Sequence, residues 1–234
     1  MPELPEVETV RKGLNDRLDG FCIQDLEVCR ERAIASPGGS KEFIKKMKGS
    51  LVGNWQRRGK YLMAQLHQGQ SKKSKLYGWW GVHLRMTGNF QWHPEHSSPC
   101  PHTRVRFWNK KGEELRFVDM RSFGQMWWVP QDIPPEQIIS GLKSLGPEPF
   151  SKDFNALYLK ERLKGKRRPI KSALLDQSIV AGAGNIYADE SLFAAGILPH
   201  KMSGQLQEIE LEKLHINLIQ VLKISIGKGG TTFS

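Results

Sequence analysis

The 234-residue chain is long enough to form one large or two small domains with a buried core. Lys and Arg together number 35 against 24 Asp and Glu, a formal net charge of +11, so a polyanion is the expected partner. Acidic residues occur at the very start of the chain, and no apolar run approaches the roughly 18 residues needed to span a bilayer. We therefore expect neither a signal peptide nor a membrane-spanning segment, and we expect a cytoplasmic location.

The predicted elements begin with a short helix that starts around Pro5. Proline is tolerated in the first helical turn because its missing N–H has no helical partner there. Val7, Val10 and Leu14 then repeat at helical spacing, and the helix is expected to end before Gly20.

From Leu51 to Val129 the hydrophobic pattern changes to short runs of period two, which predicts antiparallel strands. The turn at 109–112 would join two strands as a hairpin, and the polar segment 68–75 is expected to be an exposed loop. This part of the chain is typical of a sandwich or barrel. The predicted strands are 60–67, 80–88, 104–108, 114–119 and 124–129.

The segment 145–151 contains two prolines and a glycine and is typical of a linker. The expected fold class is therefore α+β, with an N-terminal helix and antiparallel β-sandwich or barrel followed by a helical domain. The expected domains are residues 1–146 and 147–234. Helical spacing predicts helices at 153–165, 170–177, 186–195 and 205–226.

The three cysteines, Cys22, Cys29 and Cys100, have spacings that match no zinc or redox motif. An odd number of cysteines suits a reducing compartment. We expect neither a metal site nor a cofactor in this chain.

The first residues are suited to amine chemistry. Initiator methionine is normally removed before a small residue, which would leave Pro2 as a free secondary amine, and roughly a tenth of an α-amino group is neutral at pH 7. Such an amine attacks an aldehyde-like carbon to give a cationic iminium, which is an electron sink. Glu3 is a candidate general acid if the site raises its pKa, and Glu6 is expected to stabilise the helix N-terminus. Because Pro and Glu are common in first helical turns, a structural role stays open.

Basic residues cluster at 57–60, 72–75 and 160–171. Clusters of this kind bind phosphates without sequence preference, although a solvated surface is the alternative for each of them. Lys60 differs because it shares strand parity with Leu62, which directs its ammonium group toward the packed side, where a lysine needs an anion.

Two glycines in the segment 182–190 predict a tight turn before a helix, with Asn185 in position to be the N-cap. Exposed N–H groups at such a helix start form a phosphate site, and Arg167 and Lys171 precede it closely. A plain turn with a helix cap is the alternative.

Segments 83–88 and 119–124 each place large side chains beside a glycine turn. Met86 and Phe123 would be suited to part a base step, and Arg121 to replace a lost hydrogen-bonding partner. Packing in the core is the alternative for the methionine and the phenylalanine.

Together these segments resemble the formamidopyrimidine-DNA glycosylase family of base-excision repair enzymes. The resemblance covers essentially the whole chain and implies a monomeric, bifunctional DNA glycosylase and AP lyase that removes oxidised purines and cleaves the strand by β- or β,δ-elimination. Its partner would be double-stranded DNA containing oxidised purines or abasic sites. The most specific segments are PELPEVET at 2–9, RGKYL at 58–62, HLRMTG at 83–88, DMRSFG at 119–124, LGPEPF at 145–150 and VAGAGNIYADESLFAAGI at 180–197.

The resemblance also implies a role for each candidate residue. Pro2 would attack the sugar C1′ and form a Schiff base with DNA, Glu3 would assist sugar opening, and Lys60 would contact phosphate and serve β-elimination. The residues that fill the hole left by the flipped nucleotide would be Met86, Arg121 and Phe123. The DNA-contacting residues would be His102, Arg121, Arg167, Lys171 and Asn185, the last two in a helix–two-turn–helix module, with Glu6 and Glu190 in supporting positions.

The sequence departs from the family pattern beyond residues 229–234. Relatives usually continue into a loop that covers the flipped base and then into a four-cysteine zinc finger, whereas this sequence contains no CxxC. A shortened chain without the structural zinc ion is expected. Two alternatives stay open, an endonuclease VIII-like enzyme for oxidised pyrimidines and a non-catalytic DNA-binding module.

Overall fold

The computed structural model of the chain describes residues 1–18, 20–69 and 74–229. Within them the chain forms eight α-helices and two four-stranded antiparallel sheets, which confirms the predicted α+β class. The helices are α1 (Leu4–Arg17), α2 (Gly39–Met47), α3 (Pro135–Ile138), α4 (Ser140–Lys143), α5 (Ala156–Leu163), α6 (Ile170–Leu175), α7 (Asn185–Ala195) and α8 (Glu208–Gly227). The strands are β1 (Asp25–Val28), β2 (Ser50–Arg58), β3 (Tyr61–Gln68), β4 (Leu76–His83), β5 (Gly88–His93), β6 (Thr103–Trp108), β7 (Glu114–Asp119) and β8 (Gln125–Pro130).

The chain divides into two compact units that are not contiguous in sequence. The predicted domains 1–146 and 147–234 are contiguous, whereas three short segments of the predicted first domain, 3–9, 58–60 and 144–146, are grouped with the helical unit. The sheet unit comprises Met1–Pro2, Val10–Arg57 and Tyr61–Lys143, and the helical unit comprises Glu3–Thr9, Arg58–Lys60 and the chain from Ser144 on.

The core of the sheet unit lies between its two sheets. One sheet has the strand order β1-β6-β7-β5 and the other β2-β3-β4-β8. Trp80 of β4 packs against Phe107 of β6 with ring centroids 4.5 Å apart, and Trp55 of β2 lies 5.0 Å from Trp80. Inward residues alternate with half-buried ones along β6, as expected for a sheet with one packed face. Aromatic side chains therefore form part of the contact between the two sheets.

The predicted strand at 80–88 is wrong in its second half. Strand β4 ends at His83, and the chain turns at Leu84–Thr87 and starts β5 at Gly88, whose N–H donates to the Leu84 carbonyl over 3.0 Å. The turn contains Arg85 in the left-handed region at φ 56°, where sequence rules look for glycine. Strands β1, β2 and β5 and helix α2 had no predicted counterpart, whereas the hairpin turn at 109–112 is confirmed between β6 and β7.

A buried ion cluster lies on the sheet formed by β6 and β7. Glu114, whose side chain is 2% exposed, accepts hydrogen bonds from Arg106 and Arg116, both at 2.6 Å. Burial alone raises the pKa of Glu114, but these two guanidinium groups outweigh it and lower the pKa to about 2. The carboxylate is therefore held ionised inside the sheet unit.

The helical unit has its own apolar core, to which Leu4 of α1 contributes. Helix α8 presents Leu214, Leu218 and Leu222 to this core at a spacing of four residues, as the helical pattern predicts. A capping box between Gln207 and Glu210 starts that helix. No helix in the described ranges is long and apolar enough to cross a membrane.

Candidate functional site

The start of α1 is fixed by the two glutamates that the sequence analysis singled out. The backbone N–H of Glu3 donates to the Glu6 carboxylate over 2.9 Å, so Glu6 satisfies an amide that the helix itself leaves open. Glu6 thus acts at the helix N-terminus through a hydrogen bond, and the expected macrodipole effect stays a prediction. Pro2, immediately before this turn, is half-buried, and Met1 is 56% exposed.

The carboxylate of Glu3 lies at the N-terminus of α7 within the helical unit. Its two oxygens accept hydrogen bonds from the backbone N–H groups of Ile186 at 2.9 Å and Tyr187 at 3.3 Å. Gly184 leaves no room for a side chain, since a Cβ there would lie 2.3 Å from the Glu3 Cδ. Burial raises the pKa of Glu3 against the opposing effects of these donors and of Lys60. Glu3 thus has the environment of a general acid.

This arrangement corrects the prediction for the start of α7. Asn185 is not the N-cap but the first helical residue, and Gly184 in an extended conformation takes the cap position without a side-chain hydrogen bond. The Glu3 carboxylate supplies the acceptor that a capping side chain would otherwise provide. The amides of Ile186 and Tyr187 are therefore engaged by Glu3 and not open to a phosphate.

Lys60 lies in the turn before β3 and is 6% exposed, as its strand parity predicts. The turn includes Gly59 at φ 56°. The anions that a buried lysine requires come from the chain itself, because Glu3 and Glu6 both interact electrostatically with the Lys60 ammonium group. Burial lowers the pKa of Lys60, and the two glutamates oppose that effect. A lysine in this setting is suited to transfer protons.

A buried chain of hydroxyl groups extends from Glu6. The Tyr187 hydroxyl donates to Glu6 Oε1 over 2.6 Å and lies 2.5 Å from the Ser225 hydroxyl of α8. Sequence reasoning missed both residues, although Tyr187 lies within a quoted motif, because no local pattern links positions so far apart. This network connects α1, α7 and α8 inside the helical unit.

The linker is held by the basic segment before Lys60. Arg58 pairs with Glu148 at 3.0 Å and donates to the carbonyls of Leu145 and Gly146. Glu148 also accepts from the Gly59 N–H over 2.6 Å. Arg58 therefore stabilises the linker and does not act as a solvated cation. Its partner Glu148 was not among the predicted site residues.

Three candidate residues of the sheet unit lie on two neighbouring loops. Met86 is 41% exposed, Arg121 is exposed, and Phe123 is half-buried with the Arg121 guanidinium 5.0 Å from its ring centroid. A cleft of about 390 Å³ lies beside them. Its lining residues are Met1, Arg32, Arg85, Met86, Phe123 and Gln125. The chain start and two of the predicted wedge side chains thus share one cationic cleft.

His102 is exposed at a corner of the same unit. Its ring Nδ1 lies 3.4 Å from the Arg104 guanidinium, and its carbonyl accepts from the N–H of Asp119 over 2.9 Å. The cationic corner is therefore anchored to the end of β7.

The other candidate residues belong to the helical unit. Arg167 is exposed and lines a concavity with three further basic side chains. Lys171 pairs with Asp189 at 2.8 Å, so an incoming phosphate would compete with that carboxylate. Asn185 and Glu190 are exposed on α7.

The predicted cluster at 72–75 lies mostly outside the described residues, as does the centre of the loop at 68–75.

The described residues contain no group of three or more His, Cys, Asp or Glu side chains able to hold a metal ion. With three cysteines in the sequence, the chain also lacks the four thiolates of a zinc finger.

Comparison with known proteins places the chain in one family. The family model for the formamidopyrimidine-DNA glycosylase N-terminal domain matches residues 1–126, and the model for the H2TH domain of the same family matches residues 145–234. A formamidopyrimidine-DNA glycosylase of Prochlorococcus marinus strain MIT 9313 is 70% identical over all of this chain and 82% of the relative. One from Parasynechococcus marenigrum is 62% identical with the same coverage.

Solved structures give the same result. The Lactococcus lactis enzyme in complex with DNA containing an abasic site is 32% identical, has a TM-score of 0.88 and matches 99% of this chain and 81% of its own. The enzyme in its complex with DNA containing Fapy-dG is 33% identical, has a TM-score of 0.87 and matches 98% of this chain and 82% of its own. The chain therefore belongs to the formamidopyrimidine-DNA glycosylase family, the DNA glycosylases and AP lyases that remove oxidised purines in base excision repair.

Proposed function

We propose that Pro2, freed by removal of Met1, is the nucleophile of this enzyme, that Glu3 is its acid and that Lys60 carries the proton of the elimination step. The observation that carries this proposal is that Glu3 and Lys60 are both buried and interact electrostatically with each other. Burial raises the pKa of the carboxyl group and lowers the pKa of the amine, so each is moved toward its neutral form. A neutral acid and a neutral base are the forms that proton transfer needs.

The proposed reaction uses only the amine and these two side chains. The Pro2 nitrogen bonds to C1′ as the bond from C1′ to the damaged base breaks, and the base leaves with the bonding pair and takes up a proton. The Pro2 nitrogen loses its proton, and protonation of O4′ by Glu3 opens the C1′–O4′ bond to give the iminium. The iminium acidifies C2′, Lys60 accepts a C2′ proton, and the 3′-phosphate leaves. Water then hydrolyses the iminium and releases Pro2.

The cationic surfaces are proposed to hold the DNA. Contacts to phosphates supply affinity without sequence preference, which suits an enzyme that must search undamaged DNA. The residues assigned to this role are His102, Arg121, Arg167, Lys171 and Asn185. Met86, Arg121 and Phe123 would occupy the space left by the extruded nucleotide and offset part of the cost of unstacking, which is a few kcal/mol. Glu6 and Glu190 are assigned supporting positions.

Oxidised purines are the expected substrates, with oxidised pyrimidines as the second candidate. A structure of the Lactococcus lactis enzyme, 33% identical to this chain, holds DNA with an oxidised pyrimidine, so the fold itself accommodates both classes. Single-turnover excision from 8-oxoguanine:C and thymine glycol:A duplexes distinguishes them. Faster excision of thymine glycol would assign the chain to the pyrimidine class.

The nucleophile is tested by trapping with sodium borohydride, which reduces an iminium to a stable covalent adduct. Intact mass first establishes that Met1 is absent. We expect the wild-type chain to form an adduct with an abasic oligonucleotide and Pro2→Gly to form much less of it. Salt-dependent DNA binding without any adduct in the wild type would instead assign the chain as a non-catalytic binding module.

The role of Lys60 is tested by Lys60→Met with Lys48→Met as the matched control. Lys48 is an exposed lysine outside the basic clusters that pairs with Asp25 at 3.0 Å, so its loss should leave strand cleavage unchanged. Removing a proton-transfer group typically slows a reaction by 10²- to 10⁴-fold, and we expect strand cleavage by Lys60→Met to fall by at least about 100-fold. Equal activity of the two variants would remove Lys60 from the mechanism.

A further inference from the structure

The two loops that carry Met86, Arg121 and Phe123 hold their backbone in an unusual conformation. Arg85 at φ 56° and Ser122 at φ 54° are, among the residues that the structure describes, the two non-glycine residues with positive φ. Each is adjacent to a proposed wedge residue. The left-handed conformation is unfavourable for side chains of this kind and persists only where the surroundings enforce it.

Both loops form hydrogen bonds to Asp119, the last residue of β7, which is fully buried. Its Oδ2 accepts from the Gly124 N–H over 2.6 Å, and its Oδ1 accepts from the Arg121 N–H over 3.2 Å and from the Thr87 hydroxyl. The Thr87 oxygen also accepts from the Arg121 N–H over 3.0 Å. One carboxylate and one hydroxyl thus tie the 83–88 loop to the 119–124 loop.

The backbone of both loops packs closely against one aromatic ring. Gly88 and Gly124 both lie against the ring of Phe117, where an added Cβ would approach ring carbons to 2.8 Å and 2.5 Å. The carbonyl of Asp119 accepts from Arg104 Nε over 2.7 Å, which links the same corner to His102.

We infer that Asp119 and Thr87 are positioning residues that lock the two wedge loops into one rigid unit, so that Met86 and Arg121 enter the DNA stack together. The inference rests on the proposed wedge function of those side chains. Neither Asp119 nor Thr87 is exposed enough to act on DNA directly, since Asp119 is fully buried and Thr87 is half-buried against it. Loss of the lock should impair extrusion of a stacked base more than chemistry at a site that has no base.

The test uses Thr87→Val, which removes the hydroxyl with little change of shape, and Thr87→Ser, which restores it. Asp119→Asn is a more severe second variant, because it turns one acceptor into a donor facing N–H groups. Ser36→Ala is the matched control, since the Ser36 hydroxyl accepts from the Trp128 N–H over 2.6 Å elsewhere in the sheet unit.

Two measurements are made on each variant. Limited trypsin digestion without DNA reports loop rigidity through the bonds after Arg85 and Arg121. We expect Thr87→Val to be cut there at least about tenfold faster, because both hydrogen bonds of the hydroxyl are lost. Single-turnover excision of 8-oxoguanine is then compared with borohydride trapping on an abasic duplex. We expect Thr87→Val to excise about tenfold more slowly with trapping nearly unchanged, Thr87→Ser to recover and Ser36→Ala to keep the wild-type ratio.

The possible failures are distinguishable. If the wild type neither excises nor traps, the proposed function fails, while the digestion result still decides whether the lock exists. If Thr87→Val is digested like the wild type, there is no lock. If digestion accelerates but excision and trapping fall equally or not at all, the lock does not serve base extrusion. Either of the last two results would overturn the inference.

Discussion

Removing the Tyr187 hydroxyl should destabilise the helical unit more than removing a comparable tyrosine hydroxyl elsewhere. In Tyr187→Phe, Glu6 loses a donor at 2.6 Å and Ser225 loses its partner at 2.5 Å. Glu6 is 2% exposed and Ser225 8% exposed, so water cannot easily replace the lost hydroxyl. The substitution therefore leaves a buried carboxylate with one donor fewer.

The size of the effect follows from these contacts. A hydrogen bond to a charged group contributes about 1.5–3 kcal/mol and one between neutral groups about 0.5–1.5 kcal/mol, which gives roughly 2–4 kcal/mol for the two bonds together. For a chain of this length each kcal/mol lowers the melting temperature by about 2–4 °C. We expect Tyr187→Phe to lower the melting temperature by roughly 5–15 °C.

The assay is thermal unfolding followed by circular dichroism, with Tyr158→Phe as the matched control. The Tyr158 hydroxyl donates over 3.0 Å to the neutral carbonyl of Ile179 in the same unit, so its loss should cost only about 1 kcal/mol. Tyr187→Phe combined with Ser225→Ala should be less destabilising than the sum of the single changes, because both remove the same bond. A Tyr187→Phe melting temperature equal to that of Tyr158→Phe would refute the reasoning.

Two further predictions concern Glu3 and the ion cluster of the sheet unit. Gly184→Ala would place a Cβ 2.3 Å from the Glu3 Cδ and should abolish most base excision, whereas Gly13→Ala, with no atom within 4 Å, should retain activity and gain about 0.5–1 kcal/mol in helix stability. The pKa of Glu114 falls from 4.5 to about 2 on folding, so its contribution, about 3 kcal/mol, is present above pH 4.5 and lost as the pH falls toward 2. Urea unfolding at pH 7 and at pH 3 should show a smaller stability difference for Glu114→Gln than for the wild type, and equal differences would count against the ion cluster.

Elements with strong local signals were predictable from the sequence. Val7, Val10 and Leu14 gave the helical period of α1, and the alternation in 104–108 gave β6. The predicted strand at 80–88 was wrong in its second half because the chain turns at 84–87, and Arg85 occupies the left-handed position of that turn, where glycine is normally found. The turn is also held from another strand, where the Asp119 carboxylate accepts a hydrogen bond from the Thr87 hydroxyl.

The candidate site was predictable in its residue types and less so in its connections. The parity of Lys60 correctly indicated a buried side chain, but its counter-charges, Glu3 and Glu6, lie more than fifty residues away. The N-cap rule selected Asn185, whereas the acceptor at α7 comes from Glu3 across 183 residues. Contacts at such separation are set by tertiary packing, which a local pattern does not encode.

The hydrogen bonds from α7 to Glu3 bear on how an inactive form of the enzyme should be made. Alanine at position 3 would remove the acceptor of the Ile186 and Tyr187 N–H groups, at a cost of about 1–3 kcal/mol each. Lost activity in Glu3→Ala would therefore not distinguish misfolding from loss of the general acid. Glutamine removes the transferable proton and keeps one acceptor oxygen, so the helix loses one of its two contacts to this side chain and not both. Glu3→Gln is therefore the cleaner choice for capturing an uncleaved lesion complex by crystallography.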